Sequence, residues 1–131
     1  MFVTLRSGGG RARVVHARWV TERVSEWLTI PDLVELLGVT PSKVRRLIED
    51  RHLLAVRLDG VLRVPASFVR DGEPLHELRG TLVLLADAGY SDEEAMRWLT
   101  QVDDSLGVTP IEALRSGRKS EVRRVAQALA F

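Results

Sequence analysis

The chain has 131 residues, 45% of them hydrophobic and 28% charged, with a formal net charge of +1 and no cysteine. This is the composition of a folded chain with room for one domain or two very small ones, and it argues against wholesale disorder. The missing cysteines remove disulfide scaffolds, thiolate zinc sites, iron–sulfur clusters and thiol nucleophiles together. The small net charge hides an asymmetry: residues 1–70 carry +5 and residues 71–131 carry −4. A basic half joined to an acidic one points weakly to nucleic-acid contact by the first.

Residues 1–13 contain Ser7-Gly8-Gly9-Gly10 followed by Arg11 and Arg13, and are expected to form a flexible basic tail. They hold no apolar core of a signal peptide, and no apolar run in the chain approaches the roughly 20 residues that cross a bilayer. The expected location is therefore cytoplasmic, on the nucleoid when DNA is bound. Val14 to Trp27 fits a short helix with Val20, Val24 and Trp27 on one face. Arg18 would lie near its start.

Ile30 to Gly38 reads as a short helix with both ends marked. Pro31 suits the first turn, Asp32 complements the positive N-terminus and Gly38 supplies a left-handed cap; Leu33, Leu36 and Leu37 form the expected buried stripe. Thr40 and Pro41 then open a second helix running to about Arg51, with Val44, Leu47 and Ile48 inward. Two helices joined by a tight glycine-containing turn make a helix-turn-helix. Leu53 to Leu58 and Val61 to Pro65 are β-prone runs joined by Asp59-Gly60, a dipeptide suited to the positive φ angles of a type I′ hairpin turn. A hairpin directly after a helix-turn-helix is a wing, so residues 14–72 are expected to be a winged helix-turn-helix domain.

Residues 73–131 are helical in pattern and expected to form a C-terminal all-helical domain. The first helix spans Leu75 to Ala88 and is closed by Gly89. Ser91 and Glu94 form a capping box for the second, with Ala95, Met96 and Leu99 inward. Thr109-Pro110 opens a short helix ended by Gly117, and a last helix carries Val122, Val125, Ala126 and Leu129. The fold class is thus mainly α with one small β-hairpin.

The second helix of a helix-turn-helix buries one face and offers the other to a DNA groove. With Val44, Leu47 and Ile48 inward, Ser42, Lys43, Arg45, Arg46 and Glu49 face outward and are the candidate DNA contacts. Ser42 and Lys43 lie near the helix N-terminus, and Arg46 has the reach to fork onto guanine. Adjacent arginines on a short helix are usually only a solvated face; their placement before a wing is what argues for DNA. Arg57 and Arg63 on the wing are candidate phosphate contacts, against a reading in which they are simply a polar strand face. Arg11, Arg13 and Arg18 are candidate tail contacts.

Catalytic, cofactor and metal readings find no support. His16, His52 and His76 are far apart with no ligand spacing, and Ser7-Gly8-Gly9-Gly10 lacks the Gly-Lys-Ser/Thr ending of a phosphate loop. No enzyme is expected. A hydroxyl at Thr4, beside the basic tail, is a candidate for a serine/threonine kinase, whose phosphate would subtract charge from the proposed DNA surface.

The stretch "TIPDLVELLGVTPSKVRRLIEDRHLLAVRLDGVLRVPA", ending at Ala66, resembles the winged helix-turn-helix of excisionase-type and MerR-type DNA-binding proteins. Together with "GYSDEEAMRWL" and "PIEALRSGRKSEVRRVAQALAF", the chain is similar to an actinobacterial family of DNA-binding proteins with a winged helix-turn-helix and a helical C-terminal domain. The mycobacterial member of that family is known as a kinase substrate. The resemblance implies double-stranded DNA as partner, contacted from Ser42 to Glu49 and from Arg57 to Arg63. The N-terminal tail matches poorly, which leaves Thr4 without support from it. More loosely, Trp98-Leu99, Gly107, Pro110 to Leu114 and Glu121 to Leu129 resemble the toxin-binding domains of some antitoxins. That leaves open a partner protein bound through residues 73–131, or helices that only complete a core. The chain has no long coiled-coil helix of the kind that dimerises MerR-type regulators, so the expected state is a monomer or a weak homodimer.

Overall fold

The computed structural model describes residues 24 and 26–130. The first strand, β1 (Trp27–Leu28), precedes helix α1 (Ile30–Leu37) and helix α2 (Pro41–Glu49). Local chemistry fixes both helices. The Thr29 hydroxyl accepts from the Asp32 N–H at 3.3 Å and the Asp32 carboxylate accepts from the Thr29 N–H at 2.9 Å, a reciprocal capping box. At the far end the Gly38 N–H donates to the Val34 carbonyl at 2.9 Å, and φ 69° at Gly38 turns the Val39 N–H back to the same carbonyl at 3.3 Å. Thr40 then caps α2 by accepting from the Lys43 N–H at 3.1 Å. Beyond α2, Arg51 adopts φ 65°, and the His52 N–H reaches back to the Leu47 carbonyl at 2.8 Å. Two helices and the glycine turn between them form the expected helix-turn-helix.

The wing is a hairpin of β2 (Val56–Leu58) and β3 (Val61–Pro65). Its tip has φ 55° at Asp59 and 82° at Gly60, as a type I′ turn requires. β3 is the central strand, with β2 on one side and β1 on the other; Trp27 pairs with Pro65 and Leu28 with Val64. This corrects the C-terminal end of the helix expected over Val14 to Trp27: Trp27 is in a strand and Val24 and Glu26 are in no regular element, while residues 14–23 and 25 lie outside the described residues. The edge of β3 supplies backbone partners that the three-and-four spacing of apolar residues could not foretell.

A 3-10 turn, Ala66–Phe68, leads into a second small hairpin of β4 (Val69–Arg70) and β5 (Glu73–Pro74). Its turn, Asp71 at φ 54° and Gly72 at φ 75°, repeats the geometry of the wing tip. The helix expected from Leu75 therefore starts later, as α3 (Leu78–Asp87). Then follow α4 (Asp92–Thr100), α5 (Pro110–Arg115) and α6 (Lys119–Ala128). α4 opens with the expected Ser91–Glu94 capping box, and Thr109 with Glu112 does the same for α5.

One buried apolar cluster runs from Leu33 and Val44 through Val64 and Phe68 to Leu82, Met96, Leu99, Leu114 and Val122. Leu36 does not join it and is 49% exposed. At roughly 100° per residue it lies about 110° from the middle of the arc of Ile30, Leu33, Val34 and Leu37, which turns inward instead. Between α3 and α6 the Arg123 guanidinium lies over Gly80, where a Cβ would come within 2.0 Å of its Nη2.

Gly38 has open space around its Cα but a left-handed backbone. Gly38→Ala should therefore cost about 1 kcal/mol through φ alone, and Gly38→Asn less, measured by urea unfolding. In α6 the bidentate bond from Arg118 holds the Glu121 carboxyl below its ordinary range. A depressed folded value means the associated stability is present above the unfolded value and lost as pH falls through the folded one. Arg118→Ala should return the Glu121 carboxyl to the ordinary range in an NMR titration and flatten that part of the acid loss.

Candidate nucleic-acid interface

Helix α2 is anchored along one narrow face. Val44 is fully buried, Leu47 and Ile48 are half-buried, and Ser42, Lys43, Arg45, Arg46 and Glu49 are all exposed. Successive helical residues turn by roughly 100°. Ser42, Arg46 and Glu49 therefore run down the middle of the outward face, with Lys43 and Arg45 flanking them on either side. None of Lys43, Arg45, Arg46 and Glu49 makes an ion pair with a described residue. At the helix start Pro41 has no N–H, the Lys43 N–H goes to Thr40 Oγ1, and the Val44 N–H goes to the Thr40 carbonyl. The Ser42 N–H is the first-turn donor left for an outside acceptor.

The wing treats its two arginines differently. Arg57 is exposed and lies back along the tip, donating from Nη1 to the Gly60 carbonyl at 3.1 Å. Arg63 is half-buried, and its Nε is buried without a hydrogen-bond partner. Arg57 sits opposite Leu62, and Arg63 opposite Val56. Directly opposed residues share a face and successive ones alternate, so Arg57 and Arg63 point to opposite faces of the hairpin. The two-residue turn already dictates that register, so the separation follows from the sequence. Thr4, Arg11, Arg13 and Arg18 lie outside the described residues.

Four arginines with structural work carry no local sequence signal. Arg79 of α3 donates from Nε to the Asp50 carbonyl, at the C-terminal end of α2, at 2.9 Å. Arg115 of α5 donates from Nη1 to the carbonyls of Ser67 and Val69 at 2.8 and 3.1 Å, and Arg70 donates back to the Arg115 carbonyl at 2.6 Å. Arg51 approaches Asp92 at 3.8 Å. Among the described residues no group of His, Asp and Glu is placed to hold a metal ion, and no helix is long and apolar enough to cross a membrane.

Residues 18–69 match the family model described as "DNA-binding protein Rv2175c, wHTH domain", and residues 75–130 match "Rv2175c C-terminal domain of unknown function". The chain is 39% identical over 115 residues to the DNA-binding protein Rv2175c of Mycobacterium tuberculosis, covering 78% of this chain and 79% of that protein. The chain belongs to the Rv2175c family. The NMR structure of Rv2175c superposes with a TM-score of 0.74 at 37% identity, over 81% of this chain and 82% of that one. An excisionase of Streptomyces ambofaciens is 42% identical over 52 residues, which are 40% of this chain and 84% of the excisionase.

A buried Nε without a hydrogen-bond partner costs the fold rather than stabilising it. Arg63→Met, which keeps the packed stem, should leave the thermal midpoint unchanged or raise it. A clear drop would reveal a stabilising bond at that side chain.

Proposed function

We propose that the chain is a transcriptional regulator that binds double-stranded DNA, with α2 in the major groove and the wing against the backbone. The observation that carries this reading is the outward face of α2: three cations and a serine, exposed, without ion pairs to any described residue, on the second helix of a helix-turn-helix. The relatives' names support it, since one is a DNA-binding protein and the other an excisionase.

The geometry suggests a division of labour. Arg46, mid-face, is positioned to fork onto guanine O6 and N7, and Glu49, one turn on, to accept from a cytosine amine. Ser42 offers its N–H and hydroxyl to a phosphate, and Lys43 and Arg45 flank the groove as backbone contacts. Arg57 at the wing tip is the backbone contact of the hairpin. Arg63, on the opposite face, reaches DNA only with the end of its guanidinium and ranks below it. Arg11, Arg13 and Arg18 add sequence-independent charge. Phosphorylation of Thr4 by a serine/threonine kinase would subtract charge from this basic half and weaken the electrostatic part of binding. We place the protein in the cytoplasm, as a monomer or weak homodimer.

The reading is tested by titrating duplex DNA against salt. Phosphate contacts release counterions, so log affinity should fall linearly with log salt. Lys43→Ala with Arg46→Ala should keep the wild-type melting profile, lower affinity at least about tenfold and reduce the salt slope by about one or more. Unchanged affinity in the double variant would move the interface off α2. Binding that is absent at low salt would remove the DNA reading altogether.

A further inference from the structure

The C-terminal helices touch the proposed DNA-binding elements at three separate places. At the C-terminal end of α2, Arg79 of α3 donates to the Asp50 carbonyl at 2.9 Å. A cation there also meets the negative end of the helix dipole. At the wing, α4 packs against β2. At the base of the wing, where β3 passes into the 3-10 turn, Arg115 of α5 ties the Ser67 and Val69 carbonyls from Nη1, and Arg70 returns a bond to the Arg115 carbonyl at 2.6 Å. Phe68, between the two tied carbonyls, is fully buried.

α2 and the wing are joined in the chain by residues 50–55, of which Leu53, Leu54 and Ala55 are buried in the common core, and each makes its own contact with DNA in the reading above. Their relative pose decides whether both contacts form at once. In this chain the bonds from α3 and α5 converge on the end of one DNA-facing element and the base of the other.

We propose that the C-terminal helices are a brace that fixes the recognition helix relative to the wing, with Arg79 and Arg115 as positioning residues that do not touch DNA. The inference rests on the DNA-binding reading. It assigns a role to the acidic half, as a support that contacts the DNA-binding elements rather than the duplex.

The test uses the full chain and a duplex that the wild-type protein binds, comparing Arg79→Ala, Arg115→Ala and Lys43→Ala. A residue that touches phosphate takes about one unit of salt slope with it; a residue that only positions others does not. Arg79→Ala and Arg115→Ala should each weaken binding several-fold with the wild-type salt slope, whereas Lys43→Ala should weaken it with a shallower slope. In the DNA-free protein both brace variants should speed amide exchange at the end of α2 and at the wing base, with α6 unaffected. Wild-type affinity in both brace variants would overturn the proposal, and so would a slope reduced by one in Arg79→Ala, which would make Arg79 a phosphate contact. Should Arg115→Ala fail to fold, the exposed Arg79 decides alone. A wild-type protein that binds no duplex at any salt defeats the DNA reading instead, and the exchange measurement still reports whether the brace exists.

Discussion

The interaction on which the rest of this structure depends is the burial of Val44. α2 has nine residues, and five of them carry side chains aimed away from the protein. Such a helix can be held only by a narrow apolar line, here Val44 fully buried with Leu47 and Ile48 partly so. Leu33 of α1, also fully buried, belongs to the same cluster. Fixing α2 in this way costs it none of its polar face. Lys43, Arg45 and Arg46 keep their charge unpaired with any described residue, and mutual repulsion among them is offset by whatever anion the face meets. A helix anchored more broadly would have fewer groups to offer; one anchored less would not hold its register in a groove.

The parts legible in the sequence were those set by neighbours a few residues apart. Pro31 with Asp32, Gly38, Thr40 with Pro41, Ser91 with Glu94 and Asp59-Gly60 each act over one turn of chain, and each took the conformation its chemistry demands. Where a distant partner decides, the same reasoning failed. Trp27 looked helical by spacing and became a strand because β3 offered it an edge. Leu36 looked buried by type, yet the inward arc of α1 passes it by. Asp71-Gly72 carries the same hairpin signal as the wing tip, but its strands are only two residues long and leave no apolar alternation to mark them. The candidate DNA residues of α2 were readable because helical period alone sorts inward from outward. The opposite facing of Arg57 and Arg63 needed register as well, and the bonds of Arg115 join residues 48 positions apart, which no local pattern encodes.

The two charge signs of the chain have separate structural settings. Among the described cations of the N-terminal half, Lys43, Arg45 and Arg46 stand on the outer face of α2 and Arg57 at the wing tip. Many of the carboxylates of the C-terminal half are spent locally: Asp92, Glu93 and Glu94 lie in the first turn of α4, where they complement the helix dipole, and Glu112 and Glu121 bond Thr109 and Arg118. Meanwhile arginines of the same half, Arg79 and Arg115, spend their donors on backbone carbonyls of the basic half. The boundary between the halves is thus crossed by neutral acceptors and charged donors more than by ion pairs; Arg51 with Asp92, both exposed, is the one salt bridge between them among the described residues. Bonds of that kind are directional and respond little to salt, which suits a support that must keep its geometry while the opposite surface trades counterions for DNA.

The most direct measurement is a map of backbone amide shifts as a short duplex is titrated into the labelled protein at low salt. The account expects the largest changes from Ser42 to Glu49 and from Arg57 to Gly60, with the outer surfaces of α5 and α6 nearly silent. Largest changes on α3 to α6, with the amides of α2 unmoved, would contradict it.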